Sequence, residues 1–207
     1  LDINRKNSSV IGDRAFHSEP KAISELGHEL VEGLRLAGVA SVGKHFPGHG
    51  GVSADTHLNE AIDGRDISEM INVDIRPFDA LNPYLAGIMP AHVTFPSVDA
   101  SPACFSSKWL REILRIKLGF KGLIFSDDLS MRAATLMGSA TLRSSKAFEA
   151  GCDLILMCND PAAADEALTT SMAEVFLDDH GVAKKIWDIV HMPKSILMDS
   201  SSYETSS

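Results

Sequence analysis

Cysteine is scarce in this 207-residue chain: Cys104, Cys152 and Cys158 are three, an odd number without CxxC spacing. That pattern argues against a disulfide framework or a cysteine zinc site and fits reduced structural thiols, so a reducing cytoplasm is the expected compartment. Positive charge is short as well. With 19 Lys and Arg against 28 Asp and Glu, the net charge of -9 leaves no excess to neutralise phosphates, and no basic stripe interleaved with aromatics stands out. Nucleic acid is therefore not an expected partner. No apolar run approaches the roughly 20 residues that cross a bilayer. The densest run, 154–158, is only strand-sized, so no membrane partner is expected. Nor do the first residues show a charged segment followed by an apolar stretch, the pattern of a secretory signal.

What is present suits a globular domain: 44% hydrophobic residues against 23% charged, enough to bury a core. Four short apolar segments each run into polar residues. They are 38–42 before Gly43, Lys44 and His45; 86–89 before Pro90, Ala91 and His92; 122–125 before Ser126, Asp127 and Asp128; and 153–157 before Cys158, Asn159 and Asp160. Near-continuous apolar runs of this length suit strands buried on both faces of a parallel sheet. Between them, Ile23, Leu26, Leu30, Val31 and Leu34 recur at helical spacing with Ser18 as candidate N-cap. Trp109, Leu110, Ile113, Leu114 and Leu118 do the same behind Ser106 and stop at Gly119. Segments 65–82, 142–150 and 161–174 read as further helices. Strands alternating with helices predict βα units, an α/β fold whose functional residues gather behind the strands.

Two segments can carry chemistry. In 44–57, a Pro and three Gly follow the first strand and predict a loop that bends closely around a ligand, ending in Asp55-Thr56-His57. A carboxylate two residues before an imidazole can hold its ring N–H and raise its basicity, as a histidine acid/base requires. The same residues are also compatible with a turn capped by Asp55 beside a solvated His57. A third reading makes His45, His49 and His57 metal ligands, although a Pro-Gly segment fixes no ligand geometry. In the second segment, Asp127 and Asp128 close a buried strand, where paired carboxylates are costly unless they face a cavity, a cation or a substrate. Alternation along a strand lets at most one of them face the site directly. Asp127 is the candidate nucleophile, and Asp128 is read as a cap of the next helix.

Taken in order, SVIGDRAF (9–16), KHFPGHGGVSADTH (44–57), IMPAHVTFPSVDASPACFSSKWL (88–110), LRIKLGFKGLIFSDDLSM (114–131) and AGCDLILMCN (150–159) resemble the NagZ-type β-N-acetylglucosaminidases (β-N-acetylhexosaminidases) of glycoside hydrolase family 3. The resemblance runs over roughly 1–172 and implies a TIM (β/α)8 barrel. It further implies Asp127 as nucleophile, His57 as acid/base with Asp55 as its partner, and Arg14, Lys44 and His45 as sugar contacts. His92 is expected to shape the pocket floor without a catalytic role. The implied substrate is a terminal β-linked N-acetylglucosamine on peptidoglycan-derived muropeptides, cleaved with retention and without metal or organic cofactor.

A full barrel needs about 250 residues, and only four strand-like segments follow residue 37, with 1–3 resembling the end of another. The expectation is a partial barrel over 1–174 holding the last four to five βα units, and a divergent, disordered tail over 175–207. The sugar-binding Asp and second Arg that the family carries on its third strand have no counterpart. A partial barrel exposes sheet edges, so a homo-oligomer or a second chain could complete it. The competing reading is a catalytically inactive remnant that acts only as an oligomer or partner-dependent fragment.

Overall fold

The computed structural model describes residues 1–5, 10–49, 51–52 and 61–169. Asp55 and His57, and the whole tail expected over 175–207, lie outside the described residues. Among the described residues no helix is long and apolar enough to cross a membrane.

Four strands pair in parallel in the order in which the chain makes them: β1 (Val42–Phe46), β3 (Gly87–Pro90), β5 (Leu123–Asp128) and β6 (Leu154–Leu156). A small parallel pair, β2 (Ala61–Ile62) and β4 (Val93–Thr94), stands beside them. Helices fill each crossover. α1 (Pro20–Leu36) precedes β1, α2 (Ile67–Asn72) and α3 (Arg76–Leu81) lead to β3, and a π-helix (Lys108–Lys117) leads to β5. α4 (Arg132–Thr135) and α5 (Ala140–Ala150) lead to β6, and α6 (Pro161–Thr169) follows it. Parallel strands in sequential order joined by helices form the wall of a (β/α) barrel, here four strands wide. Because all four run the same way, their C-terminal ends share one edge, and that edge holds Lys44 and His45, His92, Asp127 and Asp128, and Cys158.

The apolar spacing locates β3 and β6 to within one residue at each end, β5 runs three residues further than expected, to Asp128, and β1 is displaced. The expected strand 38–42 is coil up to Ser41, and pairing of Val42 with Gly87, Gly43 with Ile88 and Lys44 with Met89 carries Lys44, His45 and Phe46 into the sheet instead. Alternation explains the shift: Gly43 and His45 are buried while Val42 and Lys44 are exposed. An imidazole enters the sheet because a carboxylate meets it there, as described below.

Helix ends differ in similar ways. α1 starts with Pro20 in its first turn, where no N–H is missed, and Glu19 rather than Ser18 precedes it without a side-chain cap. Ser106 does serve the π-helix, accepting the Trp109 N–H at 3.3 Å, and Gly119 at φ 70° stops the run. The stretch 65–82 breaks into α2 and α3 because Asp74, with its side chain fully buried, is drawn into an ion network. In the core, the Phe46 ring meets Phe78 at 5.4 Å and Trp109 at 5.9 Å, and Phe95 packs on Trp109 at 5.3 Å, joining β1, α3 and the π-helix. Edge-on aromatic contacts of this kind stabilise by roughly 0.5–1.5 kcal/mol beyond the area they bury.

Candidate active site at the strand ends

Asp127 and Asp128 close β5, and the structure separates them as alternation requires. Asp128 Oδ1 accepts the Ser130 N–H at 2.9 Å and the Cys158 N–H at 3.0 Å, and its carboxylate also receives the Ser130 hydroxyl at 2.7 Å. Burial alone would raise the Asp128 carboxyl, but these donors outweigh it and hold its pKa below the ordinary range. It therefore staples the end of β5 to the segment after β6. The expected cap on the following helix is not made, since Met131 takes the N-cap position of α4 and no side chain caps it. Asp127 is half-buried, and one of its oxygens accepts the Asp128 N–H at 2.8 Å.

His92, behind β3, lies beneath this pair and is 1% exposed. Its Nε2–H donates to the Asp128 carbonyl at 3.1 Å, and its ring stacks on Phe105 at 5.5 Å and 14°. Burial opposes the charged imidazole, but Cys104 and the Asp127 carboxylate outweigh it, and the His92 pKa is pushed up to about 9. Burial likewise works against a Cys104 thiolate, and hydrogen bonds from Cys152 and His92 overcome it and bring the thiol down to about 6. The shifts run in opposite directions because the imidazole and the thiol are buried close together, each favouring the charged form of the other. The Cys152 thiol donates to the Cys104 carbonyl at 3.8 Å, so both cysteines lock the floor under β5.

At the end of β1, Lys44 is exposed and His45 is buried. Asp2, which the sequence reading passed over, receives the His45 Nδ1–H at 2.8 Å, the His45 backbone N–H at 3.1 Å and the His49 backbone N–H at 2.6 Å. Burial would raise the Asp2 carboxyl, but the hydrogen bonds from the His45 ring and from the two backbone N–H groups outweigh it and hold it at about 2. Only a solitary acid in an apolar stretch signalled this residue, and many surface turns look the same. Arg14 is exposed, and its guanidinium donates to the Val10 carbonyl at 3.0 and 2.7 Å. Arg14, Lys44, His45 and Asp2 all line one cavity of about 240 Å³.

Leu30, Val31 and Leu34 of α1 also line this cavity and Asp127 does not, so it lies between α1 and the end of β1. Asp127 stands two strands from His45, with β3 between them, a separation of about 10 Å at ordinary strand spacing. The Asp127 charge nevertheless reaches both His49 and His92.

The loop after β1 is held at its base. Arg65 donates to Asp63 at 2.6 and 2.9 Å and to Asp74 at 2.8 Å, and Arg5 reaches Asp74 at 2.8 Å. Gly48, at φ 142°, packs against Asp74 so closely that a Cβ would lie 2.9 Å from the Asp74 Cβ. A Cβ at Gly51 would fall 2.2 Å from the Arg65 guanidinium. These glycines are required by close approach to an ion network, a cause the sequence alone did not reveal. Asp55 and His57 lie outside the described residues. Of the three histidines considered as metal ligands, His45 has its Nδ1 committed to Asp2. Among the described residues no three His, Cys, Asp or Glu side chains are grouped to hold a metal ion.

Comparison with known proteins places this geometry in context. The profile of the glycosyl hydrolase family 3 N terminal domain matches residues 1–186. The beta-hexosaminidase of Nitrosomonas eutropha is 53% identical over 171 residues, 82% of this chain and 49% of that protein. The beta-hexosaminidase of Hydrogenovibrio crunogenus is 53% identical over 170 residues, 82% of this chain and 48% of that protein. Among solved structures, NagZ from Neisseria gonorrhoeae in complex with N-trifluoroacetyl-D-glucosamine superposes with a TM-score of 0.81 at 41% identity, covering 97% of this chain and 58% of that one. The chain spans about half the length of the curated relatives it matches.

Proposed function

The chain belongs to glycosyl hydrolase family 3, and from that premise we propose that it carries the nucleophile side of a site that removes terminal β-linked N-acetylglucosamine with retention. The observation that carries this reading is the separation of the two acids on β5: Asp128 is consumed by structural hydrogen bonds, while Asp127 is half-buried over a rigid floor at the edge shared with Lys44 and His45. In the proposed reaction Asp127 attacks the anomeric carbon and forms a glycosyl-enzyme ester as the glycosidic bond breaks. His57, oriented by Asp55, gives its proton to the leaving oxygen. It then takes one from the water that hydrolyses the ester, returning the carboxylate of Asp127. A histidine suits both steps because its reference pKa of about 6.5 lies between the two tasks at neutral pH. Lys44, His45 and Arg14 are assigned to the sugar hydroxyls.

The complex of the gonococcal relative with N-trifluoroacetyl-D-glucosamine supports an N-acylated amino sugar as the substrate class. We take muropeptides from peptidoglycan turnover as the source of that sugar and the cytoplasm as the place of reaction. The second reading is an inactive remnant that acts through another chain.

Mass spectrometry of the purified chain after exposure to a fluorinated N-acetylglucosaminide trap separates the two. The expected result is one sugar on Asp127, absent in Asp127→Asn and retained in Asp128→Asn, whose melting temperature falls instead. A trap that leaves a folded chain unlabelled supports the remnant, and label on Asp128 overturns the nucleophile assignment.

A further inference from the structure

The proposed reaction leaves Asp2 without a task, yet its carboxylate is 6% exposed and takes three hydrogen bonds from His45 and His49. We propose that Asp2 is a positioning residue: it fixes the tautomer and orientation of His45, so that the imidazole offers Nε2 as an acceptor beside Lys44 and the pair reads a sugar hydroxyl. The inference deepens the functional reading above and rests on it for the identity of the sugar. It does not rest on it for the state of the imidazole.

The geometry requires the tautomer. An ionised carboxylate only accepts, so the 2.8 Å contact from Asp2 Oδ2 places the hydrogen on His45 Nδ1. The low pKa of Asp2 keeps the carboxylate in that role throughout the neutral range. In the neutral ring Nε2 then carries the lone pair. The same oxygen takes the His45 backbone N–H, while Oδ1 takes the N–H of His49, so one side chain grips the strand end and the start of the loop together.

This matters for recognition because Lys44 and Arg14, which line the cavity with His45, are donors only. A hydroxyl both donates and accepts, and a subsite made only of donors leaves its hydrogen without a partner. His45 held as the Nδ1–H form supplies the acceptor. An asparagine at position 2 could not serve the same three donors, since one of its two polar atoms is itself an N–H donor. Without the carboxylate the ring is free to carry its hydrogen on Nε2 and to present a further donor to the sugar.

Long-range proton–nitrogen NMR of the histidine rings in the full chain tests this, with His45 assigned from a His45→Gln variant. The experiment is run on wild type, Asp2→Asn and Asp2→Ala, each titrated with N-acetylglucosamine. Wild type is expected to show His45 protonated on Nδ1 alone, and both variants to move the hydrogen towards Nε2 and weaken the sugar about tenfold, the scale of one lost hydrogen bond. A wild-type ring protonated on Nε2 overturns the proposal, and so does an unchanged Nδ1–H ring in folded Asp2→Ala. The wild-type spectrum decides alone if neither variant folds. If the tautomer moves as expected but wild type shows no affinity for N-acetylglucosamine, the positioning role stands and the assignment of the sugar fails.

Discussion

Asp2, in the irregular segment that precedes α1, and Asp127, near the end of β5, are both carboxylates, and their surroundings differ. Asp127 was legible in the sequence because an apolar run ends on it and β5 is where that run predicts. Asp2 was not, because its partner His45 lies 43 residues away and no local pattern links them. The depressed pKa of Asp2 has a consequence for stability. Its carboxyl moves from an ordinary value of 3.8 to about 2 on folding, so the unfolded chain binds the proton more readily. The contribution is present above the unfolded value and is lost as pH falls through the folded one. Relative to Asp2→Asn, wild type is expected to lead by about 2 kcal/mol near neutrality. That lead should shrink between about pH 4 and pH 2, as read from urea melts across the range. A lead that does not change with pH would show that packing, not charge, is what Asp2 contributes.

Elements are where spacing and structure part company. β1 moved by four residues from its expected position because apolar count favoured 38–42, whereas burial alternates through Val42, Gly43, Lys44 and His45. The break between α2 and α3 follows from Asp74, which must turn inward to meet Arg65 and Arg5. Both displacements share a cause: a polar side chain enters the interior once a distant partner compensates it, and periodicity cannot see that partner. The Arg65 network can be tested as a unit. Arg65→Met strands Asp63 and Asp74, whose side chains are 3% and 0% exposed, with Arg5 as the remaining cation on Asp74. A loss of about 3 kcal/mol in denaturant melts is expected, as when one partner of a buried pair is removed. Adding Asp74→Asn should recover part of it. Gly51→Ala, which drives a methyl into the same guanidinium, should lower stability in the same direction, and an unchanged midpoint would remove the network from the account of the loop base.

At the scale of the whole molecule, four parallel strands make a section of barrel wall, bounded in the described sheet by β1 on one side and β6 on the other. The edge of a sheet is open to pairing with a further strand, from the same chain or from another. The chain by itself is expected to turn over a chromogenic N-acetylglucosaminide at least about 100-fold more slowly than a full-length relative, the scale on which misplaced catalytic groups lose rate. It is also expected to sediment as more than a monomer at micromolar concentration. Turnover equal to the relative's by a monomer would show that the described section suffices. The rhythm of apolar segments, the parallel α/β architecture and the acid pair behind a strand were determined by the sequence alone, because each follows from the chemistry of neighbouring residues. Which of two adjacent acids is spent on structure, which carboxylate stands against His45 and why Gly48 and Gly51 carry no side chain were decided only by the tertiary structure. Those depend on which segments become neighbours when the sheet assembles, and sequence distance does not encode that.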